Sequence, residues 1–97
     1  MKAQGADAKR ATFTRLLDEF EQPLRRLTTG YAAEPADRED LFQDIAVGIW
    51  GAIPRFRGES SERTWIYRIA HNTALTWKSK SRRRQSRERE DEYSDSR

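Results

Sequence analysis

The large apolar residues of this chain recur at spacings of three and four and never settle into alternation, which restricts it to helices. Phe13, Leu16, Leu17, Phe20, Leu24 and Leu27 form one stripe over residues 9–29, the pattern of an amphipathic helix with one buried face. Leu41, Ile45, Ile49 and Ile53 form a second line, with Phe42 and Trp50 beside it. Ile66, Ile69, Ala70, Thr73 and Trp77 form a third. A half-buried strand needs apolar side chains at every second position, and no segment sustains that order. The expected fold is all-α, a compact bundle of three main helices.

Proline and glycine set the expected boundaries. Pro23 lies inside the first stripe; it removes a backbone donor and crowds the preceding turn, which predicts a kink or split there. Gly30 is placed to stop that helix. Asp37, after Pro35, is suited to cap the second helix, and Glu39 and Asp40 fall in its first turn, where the helix dipole favours acids. Pro54 ends it. Gly48 and Gly51 weaken this helix by roughly 1 kcal/mol each relative to alanine, unless they admit another backbone. Ser60 or Ser61 is suited to cap the third helix, which runs out near residue 84. Residues 1–8 are small and polar and predict a disordered N-terminus. Residues 85–97 mix charges with one aromatic and no aliphatic residue, and predict a charged disordered linker or tail. The folded domain is therefore expected over 9–84.

Charge is unevenly distributed. Charged residues are 36% of the 97 and hydrophobic ones 35%, a thin supply for one small core. Residues 55–84 hold nine Lys/Arg and two Glu, a net +7, while the whole chain carries +3, leaving −4 for the rest. Such polarity concerns partners more than fold. The absence of cysteine excludes disulfides and thiolate metal sites. No apolar run approaches the ~20 residues that span a bilayer, and the N-terminus has no apolar signal core, so membrane insertion is not expected and a cytoplasmic setting is. His71 has no second ligand at metal spacing, no phosphate-binding glycine loop occurs, and Ser60 and Ser61 have no nearby base. Asp37, Glu39, Asp40 and Asp44 could pair for acid–base chemistry, but acids at a helix start ordinarily serve its dipole and its solvation. No enzyme activity, cofactor or metal is expected.

Two surfaces have the chemistry of interfaces. The carboxylates of the second helix, with Gln43 among them, suit arginines of a partner protein; they read equally as a solvated face. Lys78, Lys80, Arg82, Arg83 and Arg84 exceed what a helix C-terminus needs and suit phosphates. Trp65 and Tyr67 could stack on unpaired bases, whereas Trp77 falls on the buried line. Arg68, His71 and Asn72 lie at i, i+3 and i+4, close enough for one ligand. Asn72 offers both a donor and an acceptor to a base edge. The loop Phe56–Ser61 supplies an aromatic ring, a glycine and hydroxyls, either as the wall of a base pocket or as an ordinary connector.

Three segments in fixed order carry a family resemblance: Asp40-Leu41-Phe42-Gln43-Asp44, then Ile53-Pro54-Arg55-Phe56-Arg57-Gly58, then Thr64-Trp65-Ile66-Tyr67-Arg68-Ile69-Ala70-His71-Asn72. Together they resemble region 2 of bacterial sigma factors of the extracytoplasmic-function group, across about 13–84. The resemblance implies a helical domain that binds the β′ clamp helices of the RNA polymerase core, recognises the promoter −10 element as single-stranded non-template DNA, and helps to melt it. It implies polymerase contacts at Asp37, Asp40, Leu41, Gln43 and Asp44. It implies DNA contacts at Phe56, Arg57, Gly58, Ser60, Ser61, Arg63, Trp65, Tyr67, Arg68, His71, Asn72, Lys78, Lys80, Arg82, Arg83 and Arg84, with Phe56 and Asn72 around a flipped base. An anti-sigma factor is a further implied partner. Primary sigma factors carry paired tryptophans where this chain has Trp65-Ile66. Family members also carry a second helical domain that reads the −35 element, and residues 85–97 read as the start of a linker. A sigma-like module that binds polymerase or an anti-sigma factor without promoter specificity, and a basic helical protein that binds nucleic acid by charge alone, are the alternative readings.

Overall fold

A computed structural model of the protein describes the backbone over residues 2–95 and the side chains over residues 5–83. Helix α1 spans Lys2–Thr29, α2 spans Pro35–Ala52 and α3 spans Glu62–Asp95, with one 3-10 turn over Ile53–Arg55 between α2 and α3. Among the described residues there is no strand. Each helix delivers one line of buried residues at i, i+4 spacing: Leu16, Phe20 and Leu24 from α1, Leu41, Ile45 and Ile49 from α2, and Ile66, Ala70 and Ala74 from α3. Phe42 joins them from α2. Complete burial of each leucine or isoleucine contributes about 1.5–3 kcal/mol. α2 packs against both other helices, while α1 and α3 touch each other less.

Several local expectations are corrected. α1 is not split at Pro23 but passes through it as one helix. Phe20 and Leu24 flank the proline on the same buried line, so apolar burial on both sides offsets the ~3 kcal/mol that an interior proline costs. Asp37 is not the N-cap of α2. Pro35 takes the first helical position and Glu34 the cap, without a side-chain cap bond. Proline suits that position because its fixed φ is preorganised for the helix and its missing N–H would have been unpaired there. The neighbouring carbonyls are held instead by Arg38, whose Nε donates to Ala32 O at 2.9 Å and whose Nη2 donates to Ala33 O at 2.8 Å. Helix α1 begins at Lys2 and α3 continues through Asp95, with Met1, Ser96 and Arg97 outside the described residues. The chain after Arg84 is rich in arginine and glutamate, both good helix formers even with no apolar face to bury.

The two glycines of α2 differ. A Cβ at Gly48 would lie 3.3 Å from Ile69 Cγ2 and 3.3 Å from Thr73 Oγ1, so α2 and α3 meet closely there. A Cβ at Gly51 would meet nothing within 4 Å. Gly51→Ala is therefore expected to stabilise the fold by about 0.5–1 kcal/mol, read as a rise in melting temperature. Gly48→Leu is expected to destabilise it by about 1–3 kcal/mol through overpacking. Equal shifts for both would contradict the close approach at Gly48.

Candidate nucleic-acid and protein interface

The loop between the 3-10 turn and α3 is built for a tight reversal. Phe56 N–H closes the turn on Ile53 O at 3.2 Å. Gly58 has φ +74°, a conformation that side chains resist. Ser61 then caps α3, its Oγ accepting from Thr64 N–H at 3.1 Å and donating to Thr64 Oγ1 at 3.0 Å. Glu62, the first residue of α3, receives both guanidinium nitrogens of Arg15, at 3.1 and 2.6 Å, which ties α1 to this helix start. That hydrogen bonding holds the Glu62 carboxyl below its usual value of 4.5 and raises Arg15.

The loop and the first turns of α3 form a concave site of about 350 Å³, lined by Arg55, Phe56, Arg57, Glu59, Ser60, Trp65 and Arg68. Phe56 and Trp65 lie ring against ring, centroids 4.6 Å apart and planes 33° apart. Both are half-buried, whereas Arg57 and Arg68 are exposed. Aromatic rings beside free guanidinium groups suit an unpaired base and its phosphates.

Asn72 is in a different place. It lines a groove of about 410 Å³ between α2 and α3, with Asp44, Val47, Gly48, Thr73, Thr76, Trp77 and Lys80. Phe56 and Asn72 thus line different concavities. One helical turn separates Arg68 in the loop site from Asn72 in the groove, so the two sites adjoin along α3. His71, beside Asn72 on α3, lines neither concavity. Its Nδ1 hydrogen-bonds Tyr31 Oη at 2.9 Å, and its ring lies 6.5 Å from Tyr67. Arg63 stands over the Tyr67 ring at 5.6 Å. His71 and Asn72 are adjacent positions, about 100° apart around the helix, so His71 meets Tyr31 while Asn72 faces the groove.

The basic end of α3 follows the same division. Lys78 and Arg82 continue the flank of Tyr67 and His71, while Lys80 and Arg83 continue that of Asn72 and Thr76. All four are exposed. The side chain of Arg84 lies outside those described.

On α2, Asp37, Asp40, Gln43 and Asp44 are exposed along one face. Leu41 is not available to a partner: it is 0% exposed and belongs to the core, because it is the first residue of the line Leu41, Ile45, Ile49. Two residues join these surfaces without having been expected there. Val47, 70% exposed, follows Gln43 by one turn and lines the groove; its spacing from Gln43 was the available signal. Tyr31 enters through its bond to His71, which no local pattern announces. Among the described residues no three His, Asp or Glu side chains gather as a metal site, and no helix is long and apolar enough to cross a membrane.

The sequence model of the Sigma-70 region 2 family matches residues 16–85 of this chain. The chain is similar to the ECF RNA polymerase sigma factor SigG of Mycobacterium tuberculosis, at 37% identity over 79 residues, covering 81% of this chain and 21% of that protein. It is similar to the ECF RNA polymerase sigma factor SigX of Bacillus subtilis, at 32% identity over 66 residues, covering 68% of this chain and 34% of the relative. It is also similar to the ECF RNA polymerase sigma-E factor of Haemophilus influenzae, at 34% identity over 76 residues, covering 78% of this chain and 39% of the relative. The chain thus spans between about a fifth and two fifths of the length of these relatives. No solved structure matches significantly.

The Arg15–Glu62 pair gives the start of α3 a pH dependence. A carboxyl held low contributes stability above its ordinary value of 4.5 and loses it as pH falls through the lowered value. The melting temperature of the native chain is expected to exceed that of Glu62→Gln at pH 7, with the gap closing below pH 4.5. A gap that widens on acidification would contradict the pairing. Thermal melts of both proteins between pH 3 and 7 measure it.

Proposed function

This chain belongs to the sigma-70 region 2 family, as region 2 of an ECF sigma factor, and on that premise we propose that it binds the RNA polymerase core through α2 and the promoter −10 element through α3. One observation carries this reading. The exposed acids of α2 and the exposed amide, guanidinium and ammonium groups of α3 lie on adjoining helices that meet in one groove. Asp37, Asp40, Gln43 and Asp44 face the β′ clamp helices, where arginine donors meet carboxylates. Arg68, Asn72, Lys80 and Arg83 follow the displaced non-template strand.

Recognition divides by chemistry. Basic residues contact phosphates and set affinity without reading sequence. Asn72, with a donor and an acceptor on one exposed amide, reads a base edge from the groove. The loop site at Phe56 and Trp65 receives an extruded base against a ring face. Opening is driven by binding: the unpaired strand gains contacts that the duplex cannot offer, so the open state is selected. No covalent chemistry is required of the domain.

Competitive binding of single-stranded oligonucleotides, randomised one position at a time and with polymerase present, tests this division. Asn72→Ala is expected to lose ~1–3 kcal/mol of discrimination at one −10 position and to leave non-cognate strands unchanged. Uniform weakening at every position would make Asn72 structural. Separately, replacing Lys80, Arg82 and Arg83 by glutamine is expected to flatten the dependence of log affinity on log salt and to weaken all sequences alike. A slope that does not respond places the phosphate contacts elsewhere. Gln43→Ala with Asp44→Ala is expected to weaken binding to core polymerase with the circular dichroism unchanged.

A further inference from the structure

The acidic face of α2 is joined to α3 by one side-chain hydrogen bond. Trp77 Nε1 donates to Asp40 Oδ2 at 3.4 Å, across 37 positions of sequence. Trp77 packs against the core and is half-buried, so its indole has a fixed place. Asp40 is exposed. Its other oxygen, Oδ1, has no hydrogen bond among the described residues.

Resting on the reading of α2 as the polymerase-binding helix, we propose that Trp77 is a positioning residue for that interface: it holds Asp40 in one rotamer with Oδ1 presented to a donor of the partner. The indole N–H suits this role because it is a donor only and carries no charge. It orients the carboxylate without neutralising it. Glu39 on the same helix is treated differently, since Arg25 Nη1 binds its Oε2 at 2.8 Å and cancels its charge locally. An exposed aspartate otherwise loses rotamer freedom on binding, and a side chain already held avoids that cost. Trp77 also lines the groove that holds Asn72. One indole therefore belongs to the supports of both proposed interfaces.

The test measures the affinity of the full chain for core RNA polymerase without another sigma factor. Trp77→Phe keeps a ring and removes the donor. It is expected to weaken binding about three- to tenfold, the worth of one ordering hydrogen bond. On Asp40→Ala the same change is expected to add nothing, because there is no carboxylate to hold. On Asp40→Asn it is expected to weaken binding again, because the amide oxygen still accepts. Full loss from Trp77→Phe on the Asp40→Ala background, or no loss in the native chain, overturns the positioning role. Unchanged affinity of both Asp40→Ala and the Gln43→Ala, Asp44→Ala variant overturns the polymerase reading itself. An independent measurement needs no tryptophan variant: solvent exchange of the Trp77 indole N–H, by nitrogen-15 NMR, is expected to be faster in Asp40→Ala than in the native chain. Equal exchange also overturns the proposal.

Discussion

The absence of a side chain at Gly48 sets how closely α2 and α3 can pack. A Cβ there would sit 3.3 Å from both Ile69 and Thr73, inside the separation that packed side chains ordinarily keep. The facing line of α3 is also small, with Ala70 and Ala74 buried. Glycine costs the helix roughly 1 kcal/mol relative to alanine, and the packing it permits offsets that cost. The consequence is positional. With the helices this close, an indole on α3 reaches a carboxylate on α2, and Asp44 and Val47 share a groove with Asn72 and Lys80. A wider spacing would leave an acidic helix and a basic helix without a common surface.

The ion pairs serve a different purpose from the core. Arg15 joins Glu62 and Arg25 joins Glu39 and Glu21, and every one of these side chains is more than a third exposed. Solvent and salt screen such pairs, so they add little to stability. Their value is geometric. Arg15 fixes the start of α3 against α1, next to the loop that holds Phe56. Arg25 lies over the Phe42 ring at 4.0 Å while it binds Glu39, which joins α1 to the first turns of α2. Acids that pair in this way are withdrawn from the proposed partner surface. Asp37, Asp40 and Asp44 remain exposed and outside any ion pair among the described residues.

Periodicity makes the three buried lines legible in the sequence itself, because burial of an i, i+4 face is a local property of sequence. Ser61 as a cap and Pro54 as an end are legible for the same reason. The helix through Pro23 is not, since whether a proline breaks a helix depends on what the flanking turns bury. Nor is the start of α2: Asp37 has good capping chemistry, but Pro35 and Arg38 settle the turn before it. Leu41 shows the limit of motif reasoning, because a residue inside a contact motif can face inward. Phe56 and Asn72 show another. Sixteen positions and a left-handed turn at Gly58 separate them, and only the packed structure assigns them to neighbouring sites.

The size of the two sites bears on how promoter opening would be shared. Each broken DNA stacking step costs ~1.4 kcal/mol on average, and a base stacked on a protein ring returns ~1–3 kcal/mol. Phe56 and Trp65 already lie against each other at 4.6 Å, so this pair offers outer faces and not two separate platforms. Trp65 is followed by Ile66, which is buried, so no second indole is available beside it. A domain with so few platforms offsets only a few opened steps by itself. In the proposed reading the remainder would come from contacts made with polymerase bound, through phosphates held in a fixed path and a strand kept from re-pairing. Because α2 and α3 line one groove, the proposed arrangement would meet that requirement: whatever orders α2 would also order the wall against which the strand is read.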